Sequence, residues 1–424
     1  MYTSVPVPPV TTVVLTGGTV LPIAARGERA APIENGTVVL ENGRLTAVGP
    51  AASVTVPEGA TTVDVSGKVV TPGLVEAHGH VGIHEDGEGW SGNDTNEMTA
   101  PNQAGVRAID GIDPCEIGMK DALRGGVTAA VVKPGSGNAI GGRTAAIKLW
   151  GRIVDEMLIS QDVSVKSALG ENPKRVYGER TQLPSTRMGT AKVIRDAFVA
   201  ASNYAAKRAA AEEKGEPFDR DLELETLAEV LDGTLAWDQH CHRADDIATA
   251  IRLSEEFGYR LVVNHGTEGH LIADYIAAKG VDAIVGPLMT TRSKVELRNR
   301  TLATPAVLAE AGVRIALTTD APVIPIDFLI HEAALCVKAG LDPVVALETV
   351  TVNPARILGL DERIGSLEVG KDADVVVWDR HPLDLDARAE HVYVGGREVY
   401  THDAATGKGL WADPFGETYV ATPA

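Results

Sequence analysis

Between about residue 71 and residue 364, short apolar runs of strand length alternate with stretches of helical pattern. Strands that lack polar alternation, each followed by a helix, are typical of a parallel sheet covered by helices on both faces. Eight such runs predict a (β/α)8 TIM barrel, in which the strands form the inner ring. The runs are LVEAH, VTAAVVK, AAIKLW, VSVKSAL, LAWDQH, RLVVNH, DAIVGP and RIALTTD.

The segments on either side of this region alternate apolar and polar residues around short turns. Residues 1–70 contain TTVVLTGGTVL, GTVVLENGRLTAVG with a Glu-Asn-Gly hairpin signal, and most of TTVDVSGKVVTPG, which ends at Gly73. Residues 365–424 contain the similar patterns GSLEVGKDADVVVWD and HVYVGGREVY. We therefore predict an α/β protein with a barrel at 71–364 and a small β-sandwich domain built from both chain ends. The charge-rich stretch 171–235 predicts a helical insertion above the barrel.

Composition and charge exclude several classes of protein. The formal net charge of -19 argues against a nucleic-acid partner, because phosphate binding requires clustered Lys and Arg. Cys115, Cys241 and Cys336 have no CxxC spacing, so neither a disulfide framework nor a thiolate zinc site is predicted. There is no run of about 18 apolar residues and no secretory signal pattern. We expect a cytoplasmic protein with a small-molecule substrate and no membrane partner, for which a homo-oligomeric state is compatible with the sequence.

Histidine and aspartate residues stand at the ends of four predicted strands. His78 and His80 end the first strand, His240 the fifth, His265 the sixth and Asp320 the eighth. These ends meet at one mouth of a barrel, so we expect the side chains to converge. Imidazoles with a carboxylate form a suitable ligand set for zinc or a similar divalent ion. Because residues i and i+2 of a strand point the same way, His-Gly-His presents two imidazoles to one ion.

These motifs resemble those of the amidohydrolase superfamily of metal-dependent hydrolases. PGLVEAHGH is similar to its strand-1 motif, TTDAP to its strand-8 aspartate, and TVNPARILGLDERIGSLEVGKDADVVVWD to its C-terminal signature. Within the superfamily the likeness is to the imidazolonepropionase-like amidohydrolases. The resemblance implies the barrel, the two-ended β-sandwich and a site for one or two metal ions, with zinc as the expected metal.

Predicted strand 4 bears on whether one or two ions bind. DVSVKSALGENPK resembles the strand-4 segment of isoaspartyl dipeptidase, which implies that Lys166 is carboxylated and bridges two ions. Lys133, Lys148 and Glu171 are alternatives for this role. An unmodified Lys166 paired with a nearby acid, beside a mononuclear site, is an equally weighted alternative.

Predicted strand 5 contains two histidines, in WDQHCHRADD. By analogy with the family motif, His240 binds the metal while His242 and Arg243 point towards the substrate. His242 as the ligand stays open, because both histidines lie on one strand face. We expect His270, in NHGTEGH, in a supporting position or loop beside the substrate site. The stretch 133–142, KPGSGNAIGG, lacks the phosphate-loop pattern and predicts a loop that lines the pocket.

The sequence predicts an enzyme that hydrolyses a C–N bond of a cyclic amide, a dipeptide-like compound or an N-acyl compound. A bound divalent ion lowers the pKa of its water to about 7 and polarises the carbonyl. Asp320 would act as general base and then as general acid. A deaminase of a heterocyclic base is the alternative, although Cys-His-Arg stands where its motif has a glutamate. A non-catalytic scaffold is disfavoured because all five ligand-type residues are present.

Overall fold

Strands and helices alternate through the middle of the chain, whereas both flanks are formed mainly of strands. The computed structural model describes residues 12–25, 28–87, 89–403, 405–415 and 418–420. Within these residues the fold is mixed α/β. None of the helices described combines the length and the apolar composition needed to cross a membrane.

The strands of the described residues are short, and most of those in the middle of the chain are completely buried. In chain order they are β1 (Val13–Val20), β2 (Ala24–Ala25), β3 (Glu28–Arg29), β4 (Ile33–Glu41), β5 (Arg44–Pro50), β6 (Thr61–Asp64), β7 (Val69–Pro72), β8 (Leu74–Gly79), β9 (Val127–Val132), β10 (Ile140–Arg143), β11 (Ala145–Lys148), β12 (Leu158–Ser160), β13 (Ser164–Ala168), β14 (Ala236–Cys241), β15 (Leu261–His265), β16 (Asp282–Val285), β17 (Ile315–Leu317), β18 (Val375–Trp378), β19 (Ala389–Val394), β20 (Arg397–Asp403), β21 (Lys408–Ala412) and β22 (Thr418–Val420).

The α-helices lie between residues 117 and 357, and short 3-10 turns accompany them. They are α1 (Ile117–Arg124), α2 (Val154–Met157), α3 (Glu171–Gly178), α4 (Arg187–Lys214), α5 (Leu222–Leu231), α6 (Ala244–Phe257), α7 (Ala273–Ala278), α8 (Thr304–Glu310), α9 (Leu329–Lys338), α10 (Pro343–Glu348) and α11 (Val352–Ile357). The stretch 171–235 contains α3, α4 and α5, and its assignment as an insertion above a barrel stays a prediction.

One sheet joins the two flanks of the chain. Its strand order is β22-β21-β20-β19-β18-β7-β1-β4-β5, and β6 pairs with β1. The junction between the flanks is the antiparallel pair β7 and β18, in which Pro72 stands opposite Val375. One apolar cluster lies along this sheet and includes Leu15, Val38 and Val377. The division into domains at residues 70 and 365 stays a prediction.

Two further sheets form the middle of the chain. The first has the order β10-β13-β14-β15-β16-β17, and every neighbouring pair from β13 to β17 is parallel. The second has the order β12-β11-β9-β8, in which β8 and β9 are parallel. Helices α6, α7 and α8 connect the successive strands from β14 to β17. Parallel strands in register place their carboxyl ends side by side, and Cys241 stands opposite His265.

The prediction that all eight runs are parallel is wrong for β11. This strand runs antiparallel to both β9 and β12. Its connection to β9 spans residues 133–144 and contains the short strand β10 but no helix. Antiparallel neighbours can be joined by a short connection, whereas a parallel pair needs a longer crossover. An apolar run indicates burial but does not specify the direction of the strand.

Helix α4 is the long helix that packs behind β14. It begins after Thr186, whose side chain accepts a hydrogen bond from the Gly189 amide, and ends at Gly215 in the left-handed conformation. Its Phe198 ring lies 4.7 Å, between centroids, from the indole of Trp237 on β14. Trp237 is completely buried, so this contact supports the strand that carries His240.

Candidate metal centre

A cavity of about 250 Å³ opens where the strands of the middle sheets end. Seven of the nine site residues predicted from the sequence line it, on five strands or shortly after them. They are His78, His80, Lys166, His240, His242, His265 and Asp320. The cavity is slightly smaller than the usual range for small-molecule sites, which is about 300–1,000 Å³.

The two histidines of the His-Gly-His motif are each held by one ring nitrogen. His78 Nδ1 lies 2.7 Å from Asn264 Oδ1, and His80 Nδ1 lies 2.7 Å from the Lys133 carbonyl oxygen. Their Nε2 atoms lie 3.3 Å and 3.2 Å from the same oxygen, Asp320 Oδ1. Anchoring of one nitrogen while the other faces an acidic site is the arrangement usual for metal-binding histidines.

The histidines of β14 and β15 approach the same point. His265 Nδ1 lies 2.7 Å from the Gly286 carbonyl oxygen, and His242 Nδ1 lies 2.8 Å from Thr267 Oγ1. Neither ring nitrogen of His240 has a hydrogen-bond partner, although the residue is only 3% exposed. Its ring centroid lies 4.4 Å from that of His265. A buried imidazole without partners is costly unless something binds to it.

Two groups of ligand-type atoms result. In each group the candidate atoms lie within 4.8 Å of one another: His78, His265 and Asp320 form one, and His240, His242 and Glu296 form the other. Lys166 adjoins the first group, because its Nζ lies 2.9 Å from His78 Nε2.

Two of these residues have an uncommon backbone conformation. His265 has a φ of 72° and Asp320 a φ of 54°, both in the left-handed region that glycine usually occupies. Each such residue costs about 1–3 kcal/mol and is typically found where function requires it. The amide of Asp320 donates to Thr318 Oγ1 at 3.0 Å, and that hydroxyl donates to the His78 carbonyl oxygen at 2.6 Å. These bonds hold the carboxylate against β8.

A buried ion pair lies behind the histidines. Lys133 Nζ donates to Asp238 Oδ2 at 2.6 Å, and both side chains are completely inaccessible. Asp238 also accepts from Ser164 Oγ at 2.7 Å and from the Asn264 amide. Asn264 in turn contacts His78, so the ion pair is connected to the ligand set. Lys133 is therefore paired with an acid on β14, a strand of the other middle sheet.

The other candidates for a bridging group lie elsewhere. Lys148 is paired with Asp372 and Asp374 in the junction with the terminal sheet. Glu171 begins α3, and its amide donates to Glu296 Oε2 at 3.1 Å. Among the four candidates weighed from the sequence, Lys166 is the one that lines the cavity.

Burial sets the charge state of the site. It lowers the pKa of Lys166 to about 7 and that of His265 to about 4. It also lowers the pKa of His78, His240 and His242 well below the ordinary value. Burial opposes ionisation of Asp320 too, but contact with His80 and the nearby His265 and Lys166 outweigh it and hold its pKa low. Neutral imidazoles beside an ionised carboxylate are ready to bind a divalent cation.

A second buried carboxylate, which no sequence pattern indicated, fixes the backbone beneath the candidate ligands. Glu76 accepts hydrogen bonds from the His78 amide at 3.0 Å, from the Thr319 amide at 2.9 Å and from Thr319 Oγ1 at 2.6 Å. It thus ties β8 to the segment that precedes Asp320.

Loops complete the walls of the cavity. Thr95 and Asn96 contribute from the loop 90–114, and Gly135 and Ser136 from the loop 133–142. The second of these loops lines the pocket as its sequence predicts. The stretch 171–235 supplies none of the lining residues within the described part of the chain.

The segment that follows β16 was not anticipated as part of the site. Thr290, Ser293, Lys294 and Leu297 line the cavity from it. Glu296 is 1% exposed, and its Oε1 has no hydrogen-bond partner and lies 3.9 Å from His242 Nε2. Burial and the neighbouring Glu171 raise the pKa of Glu296 to about 7.

Two predicted substrate-binding residues lie outside the cavity wall. Arg243 is ion-paired with Asp245, with 2.8 Å between Nε and Oδ1. His270 lies in a 3-10 turn, and its Nδ1 is 3.0 Å from Thr304 Oγ1. The structure does not bring either side chain together with the other seven.

Comparison with known proteins identifies the family. Residues 69–401 match the sequence profile of the Amidohydrolase family. Amidohydrolase tasK of Hapsidospora irregularis is 32% identical over 389 residues, which are 85% of this chain and 39% of that protein. The chain thus spans about two fifths of the length of that relative. An imidazolonepropionase of Pseudomonas putida is 27% identical over 390 residues, which are 84% of this chain and 91% of that enzyme.

Solved structures agree in fold. An amidohydrolase from Thermotoga maritima MSB8 superposes with a TM-score of 0.87 at 45% identity, covering 92% of this chain and all of that one. A prolidase complexed with N-methylphosphonate-L-proline has a TM-score of 0.59 at 20% identity, covering 92% of this chain and 99% of that one. The second likeness is one of fold alone.

Proposed function

Because the chain belongs to the amidohydrolase family, we propose that it is a metal-dependent enzyme that hydrolyses an amide C–N bond of a small molecule. This membership confirms the family that the sequence motifs predicted. It also confirms the prediction of a hydrolase acting on carbon–nitrogen bonds. A cyclic amide, a dipeptide-like compound or an N-acyl compound is the proposed substrate. The supporting observation is the convergence of five histidines, Lys166 and Asp320 on one cavity.

We propose that the two middle sheets are arcs of one barrel of the (β/α)8 type, from whose all-parallel pattern the antiparallel strands β10 and β11 depart. Support comes from the contacts between β8 and the segment after β17, where the His80 amide donates to the Ala321 carbonyl oxygen at 2.8 Å. Thr318 Oγ1 adds its bond to the His78 carbonyl oxygen. The sheet formed by residues 1–70 and 365–424 would be the second domain.

The residues of the cavity fit a divalent metal ion. Both nitrogens of His240 and one oxygen of Asp320 are buried without hydrogen-bond partners, which is the state expected of ligands. Nitrogen and carboxylate donors together suit zinc. The proposed ligands are His78, His80, Lys166, His240, His265 and Asp320, with His242 as the alternative to His240.

When bound, such an ion polarises the substrate carbonyl and makes a nucleophile available at neutral pH. Asp320 is placed to move the proton, since its free oxygen faces the cavity between His78 and His80. It would accept a proton from the attacking water and deliver it to the leaving nitrogen. His242, oriented by Thr267, can donate a hydrogen bond from Nε2 to the substrate oxygen.

Lys166 has the properties required for carboxylation. With its pKa lowered to about 7, a substantial fraction of the side chain is a neutral amine at neutral pH. A neutral amine adds to CO₂ and releases one proton, which gives a carbamate with two oxygen ligands. We propose this modification, and with it two ions, as the form of the site.

The test is metal removal and replacement. Chelation should abolish hydrolysis across a panel of dipeptides, N-acyl amino acids and cyclic amides, and zinc, cobalt or manganese should restore it. His240→Asn should lose metal and activity together, whereas the matched control His391→Asn, in the terminal sheet and paired with Glu398, should keep both. Full activity in a verified metal-free preparation would refute the proposal. Ammonia release from heterocyclic bases, without amide hydrolysis, would favour the deaminase alternative.

A further inference from the structure

Lys294 is a cation in the cavity wall that acts on Glu296 only at longer range. Its side chain lines the same cavity as the histidines and is half-buried. Within the part of the chain that the structure describes, its ammonium group has neither an ion pair nor a hydrogen bond. The buried lysines outside the proposed ligand set, in contrast, are paired: Lys133 with Asp238, and Lys148 with Asp372 and Asp374.

The nearest carboxylate in sequence does not serve as the partner of Lys294. Glu296 accepts a hydrogen bond from the Glu171 amide through Oε2, and this oxygen lies 3.7 Å from an Arg187 nitrogen. The other oxygen faces His242 at 3.9 Å. Both oxygens of Glu296 are thus directed at groups other than Lys294.

Two hydroxyl groups lie in the same stretch of wall. Thr290 and Ser293 line the cavity beside Lys294, and the structure gives neither side chain a hydrogen-bond partner among its described residues. An ionised carboxylate accepts several hydrogen bonds, and an ammonium group donates up to three. One cation with two free hydroxyl donors therefore forms a suitable receptor for a carboxylate group.

We propose that Lys294 binds a carboxylate of the substrate, so that the enzyme acts on amides that carry a carboxylate close to the scissile bond. N-acyl amino acids, dipeptides with a free C-terminus and cyclic amides with a carboxylate substituent belong to this class. The cavity of about 250 Å³ restricts the choice to small members. The hydrolysis of such amides rests on the proposed function, whereas the binding of a carboxylate by Lys294 does not.

The experiment measures equilibrium binding of matched probes by titration calorimetry. Each probe is an N-acetyl-L-amino acid or a dipeptide, and its partner is the same compound with a C-terminal carboxamide. The wild-type enzyme should bind the carboxylate form at least about tenfold more tightly. Lys294→Met should weaken that binding by about tenfold to a hundredfold, the effect of losing one charge-assisted hydrogen bond, and leave carboxamide binding unchanged.

Two further variants separate the charge from other effects. Lys294→Arg keeps the positive charge and should keep the preference for the carboxylate form. Lys279→Met removes an exposed lysine that pairs with Glu255 and should behave as wild type. Metal content measured on each variant should be unchanged.

Three outcomes would overturn the inference: equal binding of both probe forms by the wild-type enzyme, no binding of either form, or an undiminished preference in Lys294→Met. Metal-dependent hydrolysis of the carboxamides without a preference would leave the proposed function standing and remove the role of Lys294. Tight carboxylate binding that depends on Lys294, without any hydrolysis, would support the role of Lys294 and refute the proposed function.

Discussion

Lys133→Met tests the ion pair that underlies the candidate metal centre. The substitution replaces the ammonium group by a thioether of similar length and leaves Asp238 with Ser164 and Asn264 but without a cation. Both members of the pair are completely buried, with 2.6 Å between nitrogen and oxygen. Removing one partner of such a pair costs about 3–5 kcal/mol, because the remaining charge is left in a medium that solvates it poorly.

The expected loss can be converted into a melting temperature. An unfolding entropy of about 2.1 cal/mol/K per residue gives about 0.9 kcal/mol/K for 424 residues. A loss of 3–5 kcal/mol would therefore lower the midpoint by about 3–6 °C. Asn264 contacts both Lys133 and His78, at 3.3 Å and 2.7 Å, so the variant should also bind metal less tightly.

A double-mutant cycle distinguishes the ion pair from simple loss of packing. Asp238→Asn alone should be destabilising, because it leaves the buried ammonium of Lys133 unpaired. The double variant Lys133→Met/Asp238→Asn removes both charges and should be more stable than the sum of the single effects by about 1–3 kcal/mol. Urea unfolding of the four proteins measures this difference. Additive effects, or a loss below about 1 kcal/mol in Lys133→Met, would refute the reasoning.

Three further predictions concern single carboxyl or amine groups. Asp320→Asn should lower turnover by at least about 10²–10⁴ if the carboxylate transfers the proton, and near-normal turnover would remove that role. Lys166→Ala should lower both metal content and rate, with partial rescue by a small carboxylate and bicarbonate present; an unchanged content near one ion would support the mononuclear alternative. Burial raises the pKa of Glu332 to about 8. The stabilisation that the protonated side chain provides is therefore complete below pH 4.5 and is lost as the pH rises through about 8. Between these two pH values, the free energy of unfolding of Glu332→Gln should therefore rise relative to that of the wild-type protein by up to about 1.4 kcal/mol per pH unit. Urea unfolding at several pH values measures this difference, and a difference that does not change with pH would contradict the prediction.

The convergence of the site residues could be predicted because, in a barrel pattern, the place of a residue at the end of its strand indicates where in the fold it lies. His240 and His265 are one strand–helix unit apart, and Asp320 follows at the end of another strand of the same sheet region. A regular alternation places residues at equivalent strand ends at one mouth, without knowledge of any contact. The neutral state of the histidines also follows, since strand ends inside a large core are buried.

Other parts of the site depend on contacts that no local pattern encodes. Lys133 and Asp238 are distant in sequence, and their pairing follows from the placement of β9 and β14 in the sheets. Lys294 and Glu296 lie at a single 3-10 turn between β16 and α8, which is too short for periodicity to give a signal. Arg243 was expected to face the substrate, yet a carboxylate two residues away provides a partner at 2.8 Å.

The junction between β7 and β18 has a consequence for the order in which the protein forms on the ribosome. About 300 residues separate Pro72 from Val375, which stand opposite each other. At synthesis rates of about 5–20 residues per second, β7 waits about 15–60 seconds before β18 has been made. During this interval the hydrogen-bonding edge of β7 is bare, and such an edge can pair with another nascent chain. Slow elongation within 73–374 should therefore increase co-translational aggregation, and a chaperone that covers exposed strand edges should suppress it.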